Sequence, residues 1–327
     1  MKMFNYKFII PISLLLCGIR SSKVLEKLII NTDAGADDAM AILLILRTEG
    51  FKVLAITCSY GNTHLDNVAT NVLKILTIAN RSDIPVYKGA DKPLLYPYNT
   101  DTFFGSDGLG DFNFTEKMIA KVDNSKHAAV ALIDLVKQYP EEITLLSLAP
   151  LTNIATSIAL EPNFLKYLKN HIILGSSVSG IGNVLPNIEF NFYQDPESNY
   201  ITLNYTKTSI LLPWDACKEN TMPLDWRKNV LGKVNSTIMN FLNKAERISL
   251  SKSKSWTSAD TMAAAIMLES KLITKSIVTN VSPVLDGVAR GSVLVDYTNL
   301  TGRPENTKIV QSFNLTAYQK LLLRKLS

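Results

Sequence analysis

Short apolar runs and longer stretches with helical spacing alternate along most of the chain. Lys27–Asn31 (KLIIN) reads as a strand, and Asp37–Arg47 (DDAMAILLILR) has helical length with an acidic start. Phe51–Ser59 is strand-like and Asn67–Ala79 helix-like; Ile84–Tyr87 is a further short strand. His127–Gln138 and Leu151–Ala159 read as helices, separated by a strand at Ile143–Leu148 and followed by another at His171–Leu174. The strands are continuous apolar runs, which is the pattern of strands covered on both faces. Strand–helix alternation of this kind predicts an α/β fold, a mostly parallel central sheet with helices on both faces. Further helices are expected around Asn235–Arg247 and Thr261–Leu268, and the long loop from Pro93 to Asn113 has the character of a functional loop.

Composition narrows the class. Hydrophobic residues are 46% and charged residues 19% of 327, a balance able to bury a large core. The 34 Lys and Arg against 29 Asp and Glu leave +5, too dispersed for nucleic-acid binding. Residues 1–22 place Lys2 and Lys7 before an apolar stretch and then small residues, the layout of a secretory signal peptide. Residues 23–327 then read as a single domain with loop insertions and no linker or repeat. Asn-x-Ser/Thr sequons at Asn80, Asn113, Asn204, Asn235, Asn280, Asn299 and Asn314 fit a secreted, extracellular glycoprotein with no membrane attachment after signal removal. Cys17 leaves with the signal; Cys58 and Cys217 could pair, but the apolar setting of Cys58 favours two free buried thiols.

The chemistry concentrates where the first strand ends. Asn31-Thr32-Asp33-Ala34-Gly35-Ala36-Asp37-Asp38 packs three carboxylates into six residues at a strand's carboxyl end, where open α/β sheets bind ligands. Two acids could serve only the following helix N-terminus, but a third is then unexplained. Crowded carboxylates call for a hard cation, Ca²⁺ or Mg²⁺. An EF-hand loop needs a longer run of oxygen ligands with a distal Glu, an Asp-x-Asp phosphatase needs an acid where Asn31 stands, and Gly180-Ile181-Gly182 lacks the third glycine and the following helix of a dinucleotide loop. Gly61-Asn62 also follows a strand, and Asn183, Glu189 and Asn191 offer the donors and acceptors that hydroxyl groups need. In extended chain Glu189 and Asn191 would share a face. Asp260 is read either as a helix N-cap or as a distant further carboxylate.

Taken in order, NTDAGADDAMAI at 31–42, GN at 61–62, APLTNIA at 149–155, GNVLPNIEFNFYQDPE at 182–197, SADTMAAAI at 258–266 and DGVARGSVLVD at 286–296 resemble the inosine–uridine-preferring nucleoside hydrolase family. The resemblance implies a bound Ca²⁺ and hydrolysis of the N-glycosidic bond of ribonucleosides by a homo-oligomer. It implies that Asp33, Asp38, Asp260 and the Leu148 carbonyl ligate the metal and that Asp33 is the catalytic base. Asp37, Asn62, Asn183, Glu189 and Asn191 would hold the ribose. Phe104 and Ala259 stand where many members carry other residues near the leaving base. Phe103, Phe104 and Trp256 are the rings expected to stack on that base, with purines favoured. His64, His127 and His171 are not expected to act as general acid. The competing classes are a secreted nucleoside-binding glycoprotein without catalysis and a metal-dependent phosphoesterase.

Overall fold

A computed structural model describes residues 25–98, 100–204 and 208–327; the proposed signal segment lies outside the described residues. β1 (Glu26–Thr32) leads into α1 (Ala36–Leu46), β2 (Phe51–Cys58) into α2 (Leu65–Ile78), and β3 (Val86–Lys88), across the long loop, into α3 (Ala128–Gln138). β4 (Ile143–Ser147), α4 (Thr152–Leu160) and β5 (Leu168–Leu174) follow, then α5 (Phe190–Gln194), α6 (Pro196–Leu203), β6 (Ser209–Leu212) and α7 (Trp214–Glu219). The last third holds β7 (Met222–Pro223), α8 (Thr237–Ala245), α9 (Arg247–Lys252), β8 (Ser255–Trp256), α10 (Ala259–Leu268) and β9 (Ile273–Thr279). The hairpin strands β10 (Val281–Pro283) and β11 (Val293–Val295), then β12 (Thr307–Phe313) and α11 (Leu315–Leu326), complete the chain.

Eight strands form one sheet in the order β3-β2-β1-β4-β5-β6-β12-β9. Every neighbouring pair is parallel except β12 with β9. Successive side chains of β1 go to opposite faces. Leu28 and Ile30 join the core under α1, α2, α10 and α11, whereas Ile29 joins the core under α3 and α4. Both faces are thus covered, which explains the unbroken apolar runs. The fold class read from the sequence holds, with two differences. β9 is a half-exposed antiparallel edge strand whose mixed sequence ITKSIVT carries no apolar run. Glu189 and Asn191 lie at the start of α5 rather than in extended chain, because the Glu189 side chain caps that helix.

Two features of this topology build the site. The chain moves outward from β1 to β3 and then returns to the other side of β1 as β4, so a switch point opens between the carboxyl ends of β1 and β4. On one face α1 and α10 pack side by side, and both are rich in small buried residues, among them Ala39, Ala263 and Ala264. That close approach carries the first turns of both helices, and their acids, to one place. Cys58 and Cys217 are both buried and unbonded, as the apolar setting of Cys58 suggested.

Candidate active site

The acidic turn is shaped from its backbone outward. Ala34 takes the left-handed region at φ 38°, sparsely populated by residues other than glycine, and this reverses the chain at the end of β1. Asp38 fixes the turn: one carboxylate oxygen accepts from Thr32 Oγ1 at 2.5 Å and the other from the Gly35 N–H at 2.9 Å. Asp33 Oδ2 accepts from the Asn62 N–H at 2.8 Å, tying the ends of β1 and β2 together. Gly61 lies so close that an added Cβ would meet Asp33 Oδ2 at 2.0 Å. The Gly-Asn pair at 61–62 is there for that approach.

Carboxylate oxygens of Asp37, Asp38 and Asp260 lie within 4.8 Å of one another. Ser258 takes the N-cap position of α10, which leaves Asp260 in the first turn and free to join the cluster. Asp33 is beside this trio and interacts electrostatically with all three acids. Burial is the main reason that the carboxyls of Asp33, Asp37, Asp38 and Asp260 are pushed up, Asp37 to about 8. Neighbouring carboxylates push Asp33, Asp37 and Asp260 further in the same direction. Asp33 Oδ1 and Asp37 Oδ1 are buried without a hydrogen-bond partner. A buried polar atom is costly when unpaired, and four crowded acids repel. A hard divalent cation bound by oxygen relieves both, so these residues fit a metal site. The set that the geometry groups most tightly includes Asp37, which the sequence assigned to the ribose; Asp33 borders it.

The neighbouring floor is polar and rigid. Glu189 accepts from the backbone N–H groups of Ser176 and Asn191, each at 3.0 Å, and of Phe192 at 3.2 Å. Burial nevertheless raises its carboxyl to about 7. Asn191 donates Nδ2 to the Leu148 carbonyl at 2.8 Å, so the carbonyl assigned to the metal also anchors a residue assigned to the sugar. Behind this floor Asn153 donates to Asn31 Oδ1 and to the Cys58 carbonyl, and Thr152 donates to buried Asp195 at 2.6 Å. The Leu-Thr-Asn segment at 151–153 is therefore scaffold for β1, β2 and the long loop.

These groups open into a cleft of about 440 Å³ lined by every predicted metal and sugar residue except Asp38, which sits beneath it. Asn183 lies at the exposed rim. The outer wall brings together Phe103 and Phe104, whose ring centroids are 4.9 Å apart, with Phe190 and Trp214. Lys218, Lys254 and Asp101 also line the cleft. Trp214, Lys218, Phe190 and Lys254 went unread because nothing in their local sequence sets them apart. Trp256 does not line the cleft. It is buried, lies 6.0 Å from the Trp226 ring, and donates Nε1 to Glu246 at 2.7 Å. Its expected role in stacking on the base is thus replaced by a structural one. None of the three histidines lines the cleft. His127 caps α3, His171 is buried between Ser147 and Ser209, and exposed His64 pairs with Tyr98.

The parallel sheet with an acidic cleft at its switch point defines an α/β protein that takes its ligand at the carboxyl ends of the strands. The chain belongs to the inosine-uridine preferring nucleoside hydrolase family, whose model matches residues 28–320. Uridine nucleosidase 1 of Arabidopsis thaliana is 39% identical over 186 residues, 55% of this chain and 55% of its own. The matched region thus spans about half the length of that relative. The pyrimidine-specific ribonucleoside hydrolase RihA of Klebsiella pneumoniae is 28% identical over 92% of this chain and 98% of its own. A solved plant nucleoside hydrolase superposes with a TM-score of 0.84 at 28% identity, covering 92% of this chain and 98% of that one.

Proposed function

We propose that this protein hydrolyses the N-glycosidic bond of ribonucleosides, releasing free base and ribose, with Ca²⁺ as its metal. The observation that carries the reading is the buried acid cluster with two unpartnered oxygens at the base of a cleft whose outer wall is aromatic. Asp37, Asp38 and Asp260, with Asp33 and the Leu148 carbonyl beside them, would hold the cation. Bound there, Ca²⁺ would supply positive charge that orients a water and the ribose diol and makes that water more acidic.

Asp33 then acts as base. Its Oδ2 is held by the Asn62 N–H, which leaves Oδ1 free to take the proton of the attacking water. Asn62, Asn183, Glu189 and Asn191 hold ribose hydroxyls and turn binding energy into orientation. Because Glu189 and Asn191 are fixed by backbone partners, little reorganisation remains when substrate arrives. The rings of Phe103, Phe104 and Trp214 favour the larger purine bases by stacking area.

Secretion is part of the same proposal. Six of the seven sequon asparagines are exposed, and Asn280 is half-buried, which supports an exported glycoprotein.

The deciding experiment measures base and ribose release from inosine, adenosine, uridine and their deoxy counterparts, with Ca²⁺ and with chelator. Ribose release from ribonucleosides, and rejection of deoxynucleosides by up to about 10⁴-fold, is expected. Release of phosphate from phosphoesters with no ribose release, or binding without turnover, would overturn the reading.

A further inference from the structure

Breaking a ribosyl C–N bond leaves its electron pair on the base, which departs poorly unless a proton meets it. No histidine lines the cleft to supply one. Among the lining carboxyls, Asp33, Asp37 and Asp260 belong to the cation cluster. Glu189 uses both oxygens to accept backbone N–H groups. Asp101 accepts from the Phe103 N–H at 2.7 Å. Lys218 and Lys254 remain, and among the described residues neither ammonium has an ion-pair or hydrogen-bond partner. An ammonium has three donors and no acceptor, which suits a group becoming an anion.

The two lysines are held differently. Lys218 is on α7, four residues after Trp214, so the two side chains project from one face of the helix, and both line the cleft. α7 is itself anchored by Asp215, whose carboxylate accepts from the Val178 N–H at 2.6 Å, Ser179 Oγ at 2.7 Å, Ser177 Oγ at 3.1 Å and the Ile181 N–H at 3.1 Å. The backbone of Trp214 adds a bond to the Ser176 carbonyl at 3.0 Å. Lys254 lies in the connection between α9 and β8, with no comparable anchor.

We propose that Lys218 is a catalytic residue that meets the departing base beside the Trp214 ring and donates a proton to one of its ring nitrogens. The proposal rests on the nucleoside-hydrolase reading and adds to it the group that activates the leaving base. In the step, the C1′–N bond breaks and its electron pair passes to the base, which takes a proton from Lys218 Nζ. The water oxygen bonds to C1′ and its proton passes to Asp33. Asp33 returns a proton to solvent and Lys218 regains one, so nucleoside and water become free base and ribose.

The test compares inosine with para-nitrophenyl riboside, whose nitrophenolate leaves without a proton. Lys218→Met should lower kcat on inosine by about 10²- to 10⁴-fold while hydrolysis of the nitrophenyl riboside stays within a few-fold of wild type. Retained nitrophenyl activity also reports that the variant is folded and its floor intact. Equal losses on both substrates, no loss on inosine, or a selective inosine loss in Lys254→Met instead, would overturn the assignment. Failure of the wild-type protein to hydrolyse either substrate would sink the hydrolase reading itself, and is thereby distinguishable.

Discussion

Gly61→Ala tests the acidic site through a position that carries no chemistry of its own. The Gly61 backbone is outside the left-handed region, so alanine is allowed there conformationally. What it lacks is room. Its Cβ would come 2.0 Å from Asp33 Oδ2 and 2.7 Å from both Asp33 Cβ and Cγ. Restoring an ordinary contact to Oδ2 needs roughly 1.4 Å of movement or more. The bond from the Asn62 N–H to Asp33 Oδ2 must open or Asp33 must rotate, and either change displaces Oδ1 from the water it should deprotonate. A misplacement of about 1 Å at a reacting group can cost about 10²-fold in rate. Overpacking a buried site should also cost about 1–3 kcal/mol of stability. The assay is kcat for base release from inosine at saturating Ca²⁺, with the denaturant midpoint measured in parallel. A drop near 10²-fold in kcat with a folded, Ca²⁺-binding protein is expected. Wild-type kcat in Gly61→Ala would refute the assignment of Asp33 as the base.

Other predictions address separate parts of the molecule. Chelation should abolish base release and added Ca²⁺ restore it; Asp260→Ala should bind less Ca²⁺ by elemental analysis and recover part of its rate at high Ca²⁺. Trp256→Phe removes the donor to buried Glu246, so it should lose about 1–3 kcal/mol by denaturant titration. Its inosine-to-uridine rate ratio should be unchanged, whereas Trp214→Ala should alter that ratio. His171 is held neutral by burial, its pKa lowered from 6.5 to about 3. The unfolded chain therefore binds the extra proton, and stability present above pH 6.5 falls as pH drops toward 3, by roughly 5 kcal/mol at most. His171→Gln should flatten that part of the acid limb in denaturant midpoints measured at pH 7 and pH 4, and an unchanged slope would count against it.

The parallel sheet was legible because its strands are covered on both faces and so spell themselves as apolar runs. β1, β2, β4 and β5 all lie where those runs predicted them. β9 was not legible, since one half of an edge strand faces water and its polar residues hide it. α5, α6 and α7 were missed for a related reason. They are five, eight and six residues long, too short for helical periodicity to register. α7 matters most, because it delivers Trp214 and Lys218 to the cleft.

The same contrast separates the floor of the site from its wall. The floor is local: Asp33, Asp37 and Asp38 share one turn, Gly61 and Asn62 another, Glu189 and Asn191 one helix start. Backbone N–H groups fix Asp38 and Glu189 from within a few residues, so the spacing of residue types along the chain encodes much of the geometry, while Asp260 reaches the cluster from α10. The wall is assembled from the long loop at Phe103 and Phe104, from α7, and from the segment between α9 and α10. The long loop is more than a hundred residues from the other two pieces and is linked to them only by tertiary contacts, such as Lys252 donating to the Thr102 carbonyl at 2.6 Å. Two side chains that meet this way leave no spacing to read, which is how Trp256 was taken for a cleft residue and Trp214 overlooked. The division also matches the names of the relatives, which share the nucleoside and differ in the base: uridine, pyrimidine, inosine and guanosine. A wall held together by loops can change its side chains without disturbing a floor held by backbone turns. On the proposed reading, base preference would lie with Phe103, Phe104, Trp214 and Lys218, and the sugar chemistry with the turns beneath them.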